Sequence, residues 1–168
     1  MQLFSQTIPS PIGNLFAIAK DDALILLDFC DSHELEEKKR NIQKSFSSTI
    51  QEGENLILTQ TKKELSEYFA GIRKTFSIPL EFYGTDFQEK SWQALRMIPY
   101  GETRNYLEQA TMIGNPKAVR AIGGANHRNP IIIIIPCHRV IGKNKSLTGY
   151  AGGIERKKWL LEHERKYN

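Results

Sequence analysis

Five consecutive isoleucines, Ile131 to Ile135, followed at once by Pro136, constrain this chain more than any other feature. β-branched side chains suit a pleated surface, and no polar residue alternates among them, so the run is expected to form a strand buried on both faces. Proline has no N–H to give to a ladder, so that strand is expected to end at Pro136 and the chain to leave it in a turn. The residues delivered there are Cys137, His138 and Arg139. A thiol is thus set at the end of a rigid apolar segment, beside an imidazole and a guanidinium.

A chain of 168 residues with 40% apolar and 25% charged composition holds one sizeable core or two small ones, which excludes a disordered class. Its two cysteines, Cys30 and Cys137, are far apart, "MQLFSQTIPS" has no signal-peptide pattern, and the longest apolar run is too short for a membrane span. The expectation is a cytoplasmic monomer with free thiols and no membrane association. The net charge of +4 is unevenly spread: residues up to Tyr83 carry −3 and those from Gly84 onward +7. A basic half points to a polyanion partner, with an evenly solvated basic surface as the plainer alternative.

The same point divides the chain in organisation. "MQLFSQTI", "NLFAIAK" and "ALILLDF" read as antiparallel hairpin strands separated by "PSPIG" and by Asp21-Asp22. "HELEEKKRNIQK" reads as a helix. A second helix is expected to start at Thr61, with its hydroxyl as cap and Glu64 reaching back, and "FSIPLEF" to return as an edge strand because it contains Pro79. The expected fold class is α+β, with a structural α/β domain over 1–83 and a mainly helical domain over 84–168.

In the second half, Asp86 and Glu89 suggest a capping box ahead of "FQEKSWQALRMI", whose Trp92, Leu95 and Ile98 share a face. A short helix around "YLEQATMI" follows. Asn115 as cap and Pro116 as first residue would then open a helix over "KAVRAIGGANHR". Two short helices joined by a Gly-containing turn are a helix-turn-helix pattern. The second is odd as a structural helix, since each of Gly123 and Gly124 costs it roughly 1 kcal/mol relative to alanine. Its small residues Ala118, Ala121, Gly123 and Ala125 either pack against neighbouring helices or let a large partner such as DNA approach the backbone.

A buried cysteine is most often a small hydrophobe, and an adjacent histidine in an extended segment points the other way. Against that, a thiol fixed by proline in a basic half, next to His138 and Arg139, is where ionisation would be eased. Zinc would want about four ligands, and the spacing around Cys137 offers none, with His127 the nearest other imidazole. Cys30 and His33 read as a buried small residue and a solvated helix start. Neither a metal nor a cofactor is expected, and no glycine-rich nucleotide loop is present.

"IPCHRVIG", preceded by "RAIGGANHRNP" and followed by "GYAGG" and "WLLEHE", resembles the O6-alkylguanine-DNA alkyltransferase family, the methylated-DNA-protein-cysteine methyltransferases. The likeness runs back through "IGNPKAVRAIGG" and "FQEKSWQALRMIPYGET", covering nearly all of Phe87 to Glu164. It implies a ribonuclease-H-like amino-terminal domain and a winged-helix-like carboxy-terminal one. It also implies repair of double-stranded DNA by direct reversal: an alkyl group passes from O6 of guanine, or O4 of thymine, to Cys137 in a single turnover. By the same resemblance His138 is the base acting through a water, Glu164 orients it, and Asn129 pins the turn carrying the thiol. Tyr106 offers its hydroxyl near the base, Arg120 fills the gap left by the extruded nucleotide, and Gly123, Tyr150 and Ala151 belong to the DNA and substrate surface.

Three departures from the family pattern stand out. Asn105 replaces the serine that usually precedes the tyrosine, Ala151 stands where some members have serine, and "GKNKSLTG" lacks a frequent glycine, for which Asn144 is expected to take the left-handed turn. The competing readings are a non-reacting lesion binder, which would lack the cysteine, a thiol hydrolase built on Cys137 and His138, and a plain helix-turn-helix regulator.

Overall fold

The computed structural model describes all residues, Met1–Asn168, and divides into two compact units, Met1–Phe82 and Tyr83–Asn168. In the first, β1 (Leu3–Ile8), β2 (Leu15–Ala19), β3 (Leu24–Phe29) and β4 (Ile50–Glu52) form one sheet in the order β3-β2-β1-β4. The hairpins pair antiparallel, with Phe4 opposite Ala19 and Leu15 opposite Phe29, while β4 runs parallel to β1. That parallel return needs a crossover, and α1 (Leu35–Phe46) supplies it. Leu35, with Ile42 and Phe46 beside it, packs on Leu3, Ile18, Ile25 and Leu26.

β3 is buried along its whole length. Its one carboxylate, Asp28, is satisfied by the Phe29 N–H at 2.8 Å and the Lys38 ammonium at 3.0 Å. The expected strand over "FSIPLEF" shrinks to one bridge, in which Leu24 donates its N–H to Pro79 O and accepts from Glu81 N. Pro79 accepts there but has no N–H to donate, so no longer ladder forms.

Helix α2 (Leu56–Phe69) begins earlier than expected. Asn55 is its cap, accepting from Leu58 N at 2.8 Å, and Thr61 lies inside the helix with its hydroxyl on Ile57 O. A threonine satisfied by the carbonyl four residues back has no need to cap. Cys30, expected to be buried, is exposed, because the chain turns out of the sheet one residue after β3 ends.

In the second unit α3 (Asp86–Arg96) carries its capping box one residue earlier than read, on Thr85 and Gln88. β5 (Arg104–Asn105) leads directly into α4 (Tyr106–Met112), where Asn105 caps the helix and Glu108 reaches back. Helix α5 spans Val119–His127; Asn115 and Pro116 form a separate preceding turn instead of opening it, with Ala118 N on Asn115 O. α4 and α5 pack as a helix-turn-helix. A reciprocal amide pair binds them, Gln109 Nε2 to Asn126 Oδ1 at 2.9 Å and Asn126 Nδ2 to Gln109 Oε1 at 2.7 Å. Trp92 of α3 donates to Ala125 O, tying the third helix in.

The isoleucine run is buried as expected but is not a strand. It is a tight turn in which Ile134 N bonds Ile132 O, Ile135 N bonds Ile131 O, and Ile133 takes φ +71°. The backbone groups that a neighbouring strand would have satisfied are met by the Asn129 side chain instead. β6 (Val140–Ile141) follows and pairs parallel to β5, and α6 (Ile154–Lys166) closes the unit. No helix is long and apolar enough to cross a membrane.

Candidate active site

Cys137 sits in a single 3-10 turn, Cys137–Arg139, between the isoleucine turn and β6. Its thiol is buried, and its N–H bonds Ile135 O at 2.8 Å. Asn129 clamps the preceding turn from both ends: Nδ2 donates to Ile135 O at 2.6 Å, and Oδ1 accepts from Ile131 N at 2.9 Å.

His138, fully enclosed, has Nε2 on Glu164 Oε2 of α6 at 2.7 Å, while Nδ1 is buried and bonded to no protein group. Burial pushes the imidazole pKa down, further lowered by the charges of Arg139 and Lys157 against the pull of Glu164. Glu164 itself is held well below the usual carboxylate range by His138 and Arg139, which overcome its own burial. The resting pair is therefore a neutral imidazole whose Nε2–H donates to an ionised carboxylate. That tautomer leaves the basic lone pair on Nδ1.

The β5–β6 pairing brings Tyr106 to the same place, since it directly follows Asn105, the partner of Ile141. Its hydroxyl donates to Thr148 O at 3.0 Å, and burial raises its pKa, with the Cys137 charge acting in the same direction. The phenol stays a proton donor. Gly149, at φ +73°, lies where any Cβ would be 3.1 Å from that hydroxyl, so the close approach requires glycine.

Two residues here were not assigned from sequence. Arg139, expected to lend its charge to the thiol, is committed to Glu164 through Nε at 2.8 Å and Nη2 at 3.1 Å. Lys157 is 1% exposed, donates to Val140 O and to Thr148 O at 2.9 Å, and is the cation that feels the Cys137 charge. Burial lowers its pKa while Cys137 opposes that shift. A signal was present: Lys157, Leu160, Leu161 and Glu164 follow the i, i+3, i+4, i+7 spacing, one buried stripe of α6 with a charge at each end.

The remaining assigned residues lie on α5 and in the turn before α6. Arg120 and Gly123 lie on α5, Arg120 exposed and Gly123 partly so. A Cβ on Gly123 or Gly124 would meet nothing within 4 Å, which rules out tight packing of these glycines against neighbouring helices. Tyr150 is buried and Ala151 exposed in the turn before α6, where Gly153 N bonds Tyr150 O. In the loop over 142–149 the non-glycine residue in the left-handed region is Lys145, at φ +62°, and not Asn144. No three His, Cys, Asp or Glu side chains gather to hold a metal ion.

Both halves match family models: residues 3–82 the ribonuclease-like domain of 6-O-methylguanine DNA methyltransferase, and residues 86–166 its DNA binding domain. The chain is 48% identical over 160 residues to the constitutive methylated-DNA-protein-cysteine methyltransferase of Bacillus subtilis, covering 95% of this chain and 93% of that one. It superposes on the Mycobacterium tuberculosis O6-methylguanine methyltransferase crystal structure with TM-score 0.84 and 42% identity, covering 99% and 95% of the two chains. The M. tuberculosis OGT in complex with DNA matches equally in fold, at TM-score 0.84 and 41% identity over 99% and 94%.

Proposed function

The chain belongs to the 6-O-methylguanine DNA methyltransferase family, and from that premise we propose how its residues carry the reaction. It repairs double-stranded DNA by direct reversal, transferring a methyl or other alkyl group from O6 of guanine to one of its own cysteines. That cysteine is Cys137. The observation that carries the assignment is the shared turn of a buried thiol and a neutral imidazole whose Nε2 is occupied by Glu164.

His138 Nδ1 takes the thiol proton through a water. The thiolate attacks the alkyl carbon in line with the carbon–oxygen bond; the S–C bond forms, and the C–O6 electron pair returns to guanine. The Tyr106 hydroxyl assists protonation of the departing base. Lys157 offsets the thiolate charge. A base inside the duplex offers no line of attack, so the nucleotide is flipped out at a cost of a few kcal/mol of unstacking, and Arg120 fills the gap. The open glycine face of α5 lets the DNA backbone come close, with Ala151 and Tyr150 bordering the base. The same displacement acts on O4 of thymine. Residues 1–83 serve as the structural domain and 84–168 as the DNA-binding and acceptor domain. The protein works as a cytoplasmic monomer, where both thiols stay reduced.

The product is a thioether with no good leaving group, so one chain repairs one lesion. Titration with excess methylated oligonucleotide is expected to plateau at one equivalent, with the mass of one methylene on a peptide containing Cys137. Continued conversion past one equivalent, or modification elsewhere, would overturn the assignment. A lesion binder or plain regulator would gain no mass.

A further inference from the structure

The geometry points to Arg139 as a positioning residue that fixes the Glu164 carboxylate and sets how strongly His138 holds a proton. This rests on the reading of His138 as the base. Each oxygen of Glu164 has two donors. Oε1 accepts from Arg139 Nε at 2.8 Å and Gly101 N at 3.2 Å; Oε2 accepts from His138 Nε2 at 2.7 Å and Arg139 Nη2 at 3.1 Å. The guanidinium fork therefore fixes the plane of the carboxylate that in turn fixes the imidazole. Arg139 is itself anchored: Nη1 donates to Ile98 O at 2.7 Å, its guanidinium lies over the Tyr100 ring, and it is 6% exposed. It joins the chain just after α3 to α6 through the catalytic turn.

The electrostatic consequence follows from who faces His138. From α6 come Glu164 and Lys157; from its own turn come Cys137 and Arg139. A buried imidazole alone with a carboxylate would be drawn toward imidazolium and would no longer accept the thiol proton. Arg139 removes that pull by sharing the carboxylate and by adding a like charge. It cannot lose its own proton, so its effect is constant across the working pH range. Lysine keeps the charge but loses the two-pronged geometry.

The test is a pH titration of protein carrying 15N-labelled histidine, read by NMR at the His138 ring nitrogens, beside the pH dependence of single-turnover alkyl transfer. In the unsubstituted protein His138 is expected to remain neutral and Nε2-protonated through neutral pH, titrating below its ordinary value of 6.5. Arg139→Gln is expected to raise that midpoint by about 1 pH unit and to move the acid limb of transfer with it. Arg139→Lys is expected to hold the midpoint near the parent while slowing transfer. A His138 already charged at neutral pH in the unsubstituted protein overturns the proposal even if Arg139→Gln does not fold. An unmoved midpoint in a folded Arg139→Gln also overturns it, leaving Arg139 a packing role only. Failure of the unsubstituted protein to alkylate Cys137 would instead sink the site assignment and leave the titration result standing.

Discussion

Asn129→Ala is the substitution whose effect is most directly worked from the geometry. Asn129 is 2% exposed, and its amide is the partner of both Ile131 N and Ile135 O. Alanine leaves Ile131 N unsatisfied, at roughly 1–3 kcal/mol, and removes one of the two donors to Ile135 O, which keeps Cys137 N, at about 0.5–1.5 kcal/mol, so a loss of about 1.5–4.5 kcal/mol is expected. The turn it clamps also holds Ile133 at φ +71°, a left-handed conformation costing a β-branched residue about 1–2 kcal/mol, and without the clamp that strain drives the turn open. Because Cys137 N bonds Ile135 O, the thiol moves with it, and alkyl transfer is expected to slow by at least tenfold for a shift of about 1 Å. Urea unfolding followed by tryptophan fluorescence reads the relevant unit, since both tryptophans, Trp92 and Trp159, lie within Tyr83–Asn168. Asn129→Asp is expected not to rescue, because it keeps the acceptor for Ile131 N but turns an oxygen toward Ile135 O. A loss under about 1 kcal/mol with an unchanged transfer rate would refute the clamp.

Gly123→Ala is expected to stabilise α5 by about 0.5–1 kcal/mol, since helix propensity rises and the added methyl meets nothing, yet to weaken binding to duplex DNA. Unchanged affinity in an anisotropy titration would show that this face does not meet the duplex. Lys145→Gly is expected to stabilise by roughly 0.5 kcal/mol, the relief of a left-handed lysine exceeding the entropy glycine adds to the unfolded chain, and a lowered urea midpoint would contradict that. Stability is expected to fall with acidification in two stages. The folded pKa values of His138 and Glu164 are both depressed, so their contributions are present above the ordinary values of 6.5 and 4.5. The first is lost as pH drops below 6.5 and the unfolded histidine takes up protons, at up to about 1.4 kcal/mol per pH unit; the second follows below 4.5. His138→Gln should remove the first stage and keep the second.

Composition and pattern determined which segments are buried, where most helices lie and that a cysteine follows an apolar run, because these depend on periodicity and on proline, which act locally. The motifs around Cys137 carried the family resemblance, hence the order of the site residues. Capping was legible to within a residue at α3 but not at α2, since asparagine, threonine and aspartate all cap and only the helix axis decides which one faces the free N–H groups. The isoleucine run shows the limit most clearly. Its burial follows from its side chains, but strand or turn depends on who satisfies its backbone, and that partner is the Asn129 side chain. Arg139 and Lys157 look like surface charges in a basic half; only folding brings Glu164, Val140 O and Thr148 O to them, and a buried charge is tolerable only where such partners converge. Nothing local distinguished a packed glycine from an open one at Gly123, because the difference lies in what is absent beyond 4 Å, which only the assembled helices decide.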